Sequence, residues 1–65
     1  MKLARLTNSI AVNPGEIAGL TISFHSTHVL VTMRSGHIHE IARDYGKSAW
    51  ETLDRIARLI DEAAS

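Results

Sequence analysis

Four histidines are the residues of this sequence with the widest chemical use. They lie within fifteen residues of one another, at His25, His28, His37 and His39. Imidazole is a preferred zinc ligand, and a zinc site needs about four donors. The strand register predicted below places His39 four residues along a strand from His28, or roughly 13 Å away. We therefore expect two separate pairs, each needing a second chain to complete a metal site. The competing interpretation is that the histidines are solvated polar residues on the strand surface. We predict no resident metal or cofactor.

A polar patch is predicted on one face of the sheet, near a hairpin tip. It consists of Thr32, Arg34, His37 and His39. Such a patch could contact an anion or a protein partner, because its side chains project together from one face. The competing interpretation is a solvated sheet face.

No catalytic motif accompanies these residues. The four glycines are scattered and match neither a P-loop nor a dinucleotide-binding spacing. No serine stands in a nucleophile elbow, and the acidic residues of the predicted helix fall on its solvent side, so no carboxylate pair at a cleft is expected. We predict that the chain is not an enzyme.

The composition limits the class of protein. The chain has 65 residues, no cysteine, and seven basic residues against seven acidic ones. Neutrality disfavours a dedicated nucleic-acid binder, because phosphate neutralisation supplies much of such a protein's affinity. The chain starts without the apolar run of a signal peptide and has no apolar stretch of membrane-helix length, so we expect a cytoplasmic location and no membrane contact. A chain this short is marginally stable alone, which favours self-association.

The hydrophobic periodicity changes from strand-like to helical at Asp44-Tyr45-Gly46. Strands are predicted at 2–6, 10–12, 17–24, 29–34 and 38–42. Ser48 and Glu51 have the spacing of a capping box, which predicts a helix over about 48–64. Its predicted buried stripe is Trp50, Leu53, Ala57, Ile60 and Ala64, widened by Ile56. The predicted fold class is α+β: a small antiparallel β-meander of four to five short strands covered by one C-terminal α-helix, in a single domain spanning residues 1–65.

Two short turns predict a strand register. If both connecting loops have two residues, Ile22 pairs with Val31, and Met33 pairs with Ile38. Since side chains alternate between faces, this register separates an apolar face from a polar one. The predicted apolar face consists of Leu20, Ile22, Phe24, Val29, Val31, Met33 and Ile38. The polar face has Leu30 and Ile41 at its centre, and Glu40 is a misfit on the apolar face.

The sequence resembles a known family of small proteins. The pattern begins with Met1-Lys2-Leu3-Ala4-Arg5-Leu6, then Val12-Asn13-Pro14 followed by Ile17. It continues with a strand from Val29 to Met33, a turn at Gly36 and a closing helix with Leu53, Ile56 and Ile60. This pattern resembles that of the FlbD-like proteins found with flagellar genes. The resemblance covers most of the chain and implies chiefly the fold. Compact proteins of this size and pattern also resemble phage-encoded accessory proteins that bind and redirect a host enzyme.

These observations predict a small, non-enzymatic regulatory module that binds protein, either as a homodimer or with a host partner. Apolar residues outside the predicted core favour this hypothesis. The predicted contact residues are Leu30, Thr32, Arg34, His37, His39, Ile41, Tyr45 and Leu59. One alternative is a nucleic-acid-binding regulator that uses Lys2, Arg5, Arg34, Lys47 and the histidines. A second alternative is a histidine metal-binding protein.

Overall fold

The fold consists of two small antiparallel sheets and one C-terminal helix. We analysed it as a computed structural model, which describes residues 2–64. The elements are β1 (Ala4–Arg5), β2 (Ala11–Val12), a 3-10 turn (Pro14–Glu16), β3 (Ile17–Ile22), β4 (His28–Met33), β5 (Ile38–Ala42) and α1 (Ala49–Ala64). β1 pairs with β2, and the larger sheet has the order β3-β4-β5. The predicted α+β class is confirmed, with the strands divided between two sheets.

The β4–β5 hairpin has a three-residue loop, not the predicted two-residue loop. The Met33 amide donates to the His37 carbonyl at 2.8 Å, and the Gly36 amide donates to the Met33 carbonyl at 2.9 Å. Gly36 has a φ of 97°, the left-handed conformation that closes a type I turn with a glycine bulge. The extra loop residue shifts the β4–β5 pairing by one.

This shift exchanges the two faces of β5. Val29 pairs with Ile41, and Thr32 pairs with Ile38. Ile41 is therefore buried in the core (3 % exposed) and Ile38 is 51 % exposed, the reverse of the prediction. Glu40 lies on the outer face, where its carboxylate is solvated. A one-residue slip has this effect because side chains alternate between faces.

The β3–β4 register also differs from the prediction, by two residues. Ile22 pairs with Val29, not with Val31, because the connecting loop has four residues closed by the Ser23 amide donating to the His28 carbonyl at 3.0 Å. A shift of two keeps every side chain on its predicted face. It does remove Phe24 from the strand, and Phe24 is exposed instead of buried.

The helix begins with the predicted capping box. The Glu51 amide donates to Ser48 Oγ at 3.1 Å, and the Ser48 amide donates to Glu51 Oε1 at 3.3 Å. The buried face was predicted wrongly in part, since Ala49 and Thr52 are buried together with the predicted Ile56. Trp50 is 60 % exposed.

One core joins both sheets to the helix. Its buried residues are Ala4, Leu6, Val12, Val29, Val31, Ile41 and Ile56, and Leu53 and Ile60 pack against them half-buried. The helix contacts β1, β3, β4 and the 3-10 turn. Val29, Val31 and Ile41 point from the larger sheet into this core. We call the opposite face of that sheet the outer face. None of the described helices is both long and apolar enough to span a bilayer.

Candidate protein-contact surface

The outer face has a different apolar centre from the one predicted. Leu30 and Thr32 of the central strand lie there half-buried, opposite Glu40 and Ile38 respectively. Ile41 lies on the other face and is buried. The predicted Leu30–Ile41 patch is therefore not formed, and the outer face carries Leu30 and Ile38 in its place.

The predicted polar patch is split between the two faces of the sheet. Arg34 and His37 are exposed at the β4–β5 tip, and the Arg34 amide donates to the Glu16 carbonyl at 2.7 Å, which ties the tip to the 3-10 turn. His39 pairs with Val31 on the helix-side face, whereas Thr32 lies on the outer face. The His37 and His39 rings are in edge contact, with centroids 4.5 Å apart.

The histidines lie at opposite ends of the sheet, with His25 and His28 at one end and His37 and His39 at the other. His25 packs its ring edge-on against Phe24, and His28 Nδ1 lies 2.9 Å from Thr27 Oγ1. The pair His37–His39 is at the far end of β4. Among residues 2–64, no three histidine, aspartate or glutamate side chains are grouped to hold a metal ion.

Two aromatic side chains project into solvent from one end of the sheet. Phe24 is 95 % exposed and Tyr45 is fully exposed. The loops that carry them are neighbours, since the Arg43 amide donates to the Thr27 carbonyl at 3.1 Å. We call Phe24, His25 and Tyr45 the aromatic end. Tyr45 was predicted as a contact residue, whereas Phe24 was predicted on the apolar face, because only a four-residue loop places Phe24 outside the strand.

The Phe24 loop is held by its own hydrogen bonds. Ser23 Oγ accepts from the Thr27 amide at 3.3 Å and from the His28 amide at 3.1 Å. Ser26 has a φ of 57°, a left-handed conformation that completes the turn. The backbone that presents Phe24 is thus constrained, and its ring stays exposed to solvent in edge contact with His25.

The Tyr45 loop is fixed by contacts to the helix. The Asp44 carboxylate accepts from Arg55 through two bonds, Nε–Oδ2 at 2.7 Å and Nη2–Oδ1 at 3.0 Å. The Asp44 amide donates to Thr52 Oγ1 at 2.8 Å, and the Lys47 amide donates to the Asp44 carbonyl at 2.9 Å. Tyr45 therefore projects from a rigid turn, and a rigid anchor loses less entropy on binding.

Leu59, the remaining predicted contact residue, lies apart from the aromatic end. It is half-buried in a shallow groove along α1 whose other lining residues are charged. These are Asp44, Lys47, Glu51, Asp54, Arg55, Arg58 and Glu62. Charges of both signs alternate there, so the groove has no single-sign field to attract a charged ligand.

The basic residues proposed for nucleic-acid contact are dispersed. Arg34 precedes β5 and Lys47 follows it, and the strand between them covers roughly 16 Å. Lys47 also pairs with Glu51 at 3.8 Å. Arg34 and Lys47 therefore do not form one continuous basic surface along β5.

The comparisons with known proteins add no relative to this chain. No protein-family model matches the chain, and neither the curated proteins nor the solved structures include a significant match. The FlbD-like resemblance therefore stays a prediction.

Proposed function

We propose that this chain is a non-enzymatic, regulatory protein-binding module whose aromatic end is the contact surface. The observation that carries the proposal is the exposure of Phe24 and Tyr45, two large apolar rings on adjacent, internally bonded loops. Burying a large apolar side chain contributes about 1.5–3 kcal/mol of stabilisation, and the exposed rings of the free chain lack this contribution. Aromatic side chains on a rigid backbone are the usual anchors of protein interfaces.

The charges around the two rings indicate the kind of partner. Arg43 is exposed beside them, and it forms no ion pair within residues 2–64. A protein surface with apolar pockets and an acidic rim would complement this end, because opposite charges at the rim raise the rate and specificity of association. A host enzyme with such a surface, redirected by this chain, is the partner class that we propose.

The proposal is tested by comparing capture of proteins from the source cell by the wild type and by the double variant Phe24→Ala/Tyr45→Ala. Both side chains are exposed, so the double variant is expected to fold normally. Loss of an anchor pair should weaken binding by at least about tenfold. The matched control is Leu3→Ala, which truncates an exposed apolar residue outside the aromatic end.

The captured protein is then purified and its affinity for each variant is measured by calorimetry in low and high salt, after nuclease treatment. Equal binding by the wild type and the double variant would refute the proposed surface. Capture that disappears with nuclease and falls steeply with salt would instead indicate the nucleic-acid alternative.

A further inference from the structure

The free edge of β3 differs from the other free edge of the sheet. β3 and β5 are the two edge strands of the order β3-β4-β5. β5 carries the exposed charge Glu40 at its middle, and a charge there disfavours pairing with another chain. β3 reads Ile-Ala-Gly-Leu-Thr-Ile and contains no charge and no proline. Its only irregularity is a bulge between Ile17 and Gly19, which leaves 20–22 regular.

The backbone groups available on β3 can be identified from its ladder with β4. The Ser23 amide bonds to the His28 carbonyl, and bonded positions alternate along an antiparallel strand. Thr21, paired with Leu30, therefore directs its amide and carbonyl toward β4. The amides and carbonyls of Leu20 and Ile22 point the other way, toward the free edge.

A second copy of β3 fits this edge across a two-fold axis at Thr21. In that register Leu20 lies opposite Ile22 of the second copy, and the reverse pair is identical. The two pairs supply four backbone hydrogen bonds, and they place apolar side chains together on the helix-side face. Thr21 meets Thr21 of the second copy on the outer face, and facing threonines are a favourable cross-strand pair. The surface is self-complementary, as a two-fold interface requires.

The helix carries a further exposed aromatic side chain, Trp50. Arg55 donates to the Leu6 carbonyl, so that side of α1 faces β1. Trp50 lies about 140° around the helix from Arg55, on the side away from β1, and it is exposed. α1 also packs on β3.

The total exposed surface also favours a partner. The chain exposes 4527 Å², whereas a monomer of 7.1 kDa is expected to expose ~4,100 Å². A stable interface of about 800 Å² on each copy would remove more than this excess.

We infer that the chain forms a two-fold dimer in which the β3 strands pair antiparallel around Thr21, making one six-stranded sheet with both helices on the same face. The inference rests on the proposed function only in that the chain acts through protein contacts. It uses a different surface from the aromatic end, so the two can fail separately.

The test exploits the absence of cysteine from the chain. In the proposed register the two Thr21 Cα atoms are about 4.5 Å apart, which is within the range that a disulfide spans. Thr21→Cys should therefore oxidise to a covalent dimer at low protein concentration. The matched control is Glu40→Cys, an exposed outer-face position on the other edge strand, which should stay predominantly monomeric on denaturing gels.

Charge substitution gives a second, independent readout. Thr21→Glu and Thr21→Lys each place like charges face to face, and each should raise the dimer dissociation constant about tenfold or more in sedimentation equilibrium. Mixing the two variants should restore dimers, and circular dichroism checks that each variant is folded. Partner capture by the aromatic end is measured in parallel.

Several results would overturn the inference. A wild-type monomer mass throughout the micromolar range would do so, and so would cross-linking of Glu40→Cys in preference to Thr21→Cys. A dimer unaffected by either Thr21 charge would place the contact elsewhere. If capture still depends on Phe24 and Tyr45 in any of these cases, the proposed function stands without the dimer.

Discussion

Thr52 is expected to stabilise the connection between β5 and α1 through its hydroxyl group. The side chain is fully buried, and Oγ1 accepts from the Asp44 amide at 2.8 Å while donating to the Ser48 carbonyl at 3.1 Å. Thr52→Val keeps the shape and removes both bonds. The Ser48 carbonyl retains its bond from the Thr52 amide at 3.1 Å, but the Asp44 amide loses its acceptor.

The expected cost follows from that unsatisfied amide. A partly buried donor without a partner costs about 1–3 kcal/mol, and helix propensity contributes little because threonine and valine are similar. For a domain of this size each kcal/mol corresponds to about 4–8 °C in Tm. We therefore expect Tm to fall by roughly 4–24 °C. Thr52→Ser keeps the hydroxyl, and the loss of its methyl group should cost only about 0.5–1.5 kcal/mol.

Thermal unfolding by circular dichroism at a fixed protein concentration measures these changes, since self-association would make Tm depend on concentration. Hydrogen exchange at the Asp44 amide separates the two effects: protection should persist in Thr52→Ser and disappear in Thr52→Val. Thr32→Val is the control, because the Thr32 hydroxyl forms no hydrogen bond within the described residues. If Thr52→Val has the same Tm as the wild type and the Asp44 amide stays protected, the hydroxyl does not stabilise this connection.

Three further tests address the register, the hairpin loop and the ion pairs. In urea unfolding, Ile41→Ala should lower the free energy of unfolding by about 2–5 kcal/mol and Ile38→Ala by about 1 kcal/mol or less. The opposite order would support the register that a two-residue loop gives. Gly36→Ala should cost about 1–2 kcal/mol because its φ of 97° strains a residue with a Cβ atom, and an unchanged midpoint would argue against the bulge. Arg55→Lys keeps the charge but loses the two-bond contact with Asp44, so we expect it to lower the free energy of unfolding by about 1 kcal/mol. Lys47→Ala, at the exposed Lys47–Glu51 pair, should lower it by less than about 0.5 kcal/mol. Equal effects would contradict a structural role for Arg55.

Local patterns in the sequence were sufficient for the element types and for the apolar face of two strands. The capping box of Ser48 and Glu51 depends only on neighbouring residues, so the helix start could be predicted without knowing what the helix packs against. The assignment of Val29 and Val31 to the core was correct although the β3–β4 pairing was shifted by two. An even shift leaves the alternation of side chains unchanged.

Tertiary structure decided the face of β5, the exposure of Phe24 and the rotation of α1. Ser35-Gly36 is compatible with a two-residue or a three-residue loop, and the two differ by only one residue. That residue determines whether Ile38 or Ile41 is buried, because an odd shift exchanges the faces. The helix is similarly ambiguous, since Trp50 and Thr52 lie on opposite sides of the apolar residues Leu53, Ile56 and Ile60. Packing buries Thr52, whose hydroxyl satisfies the Asp44 amide, and leaves Trp50 in solvent; only the fold brings that amide to the helix, so the sequence alone could not distinguish the two orientations.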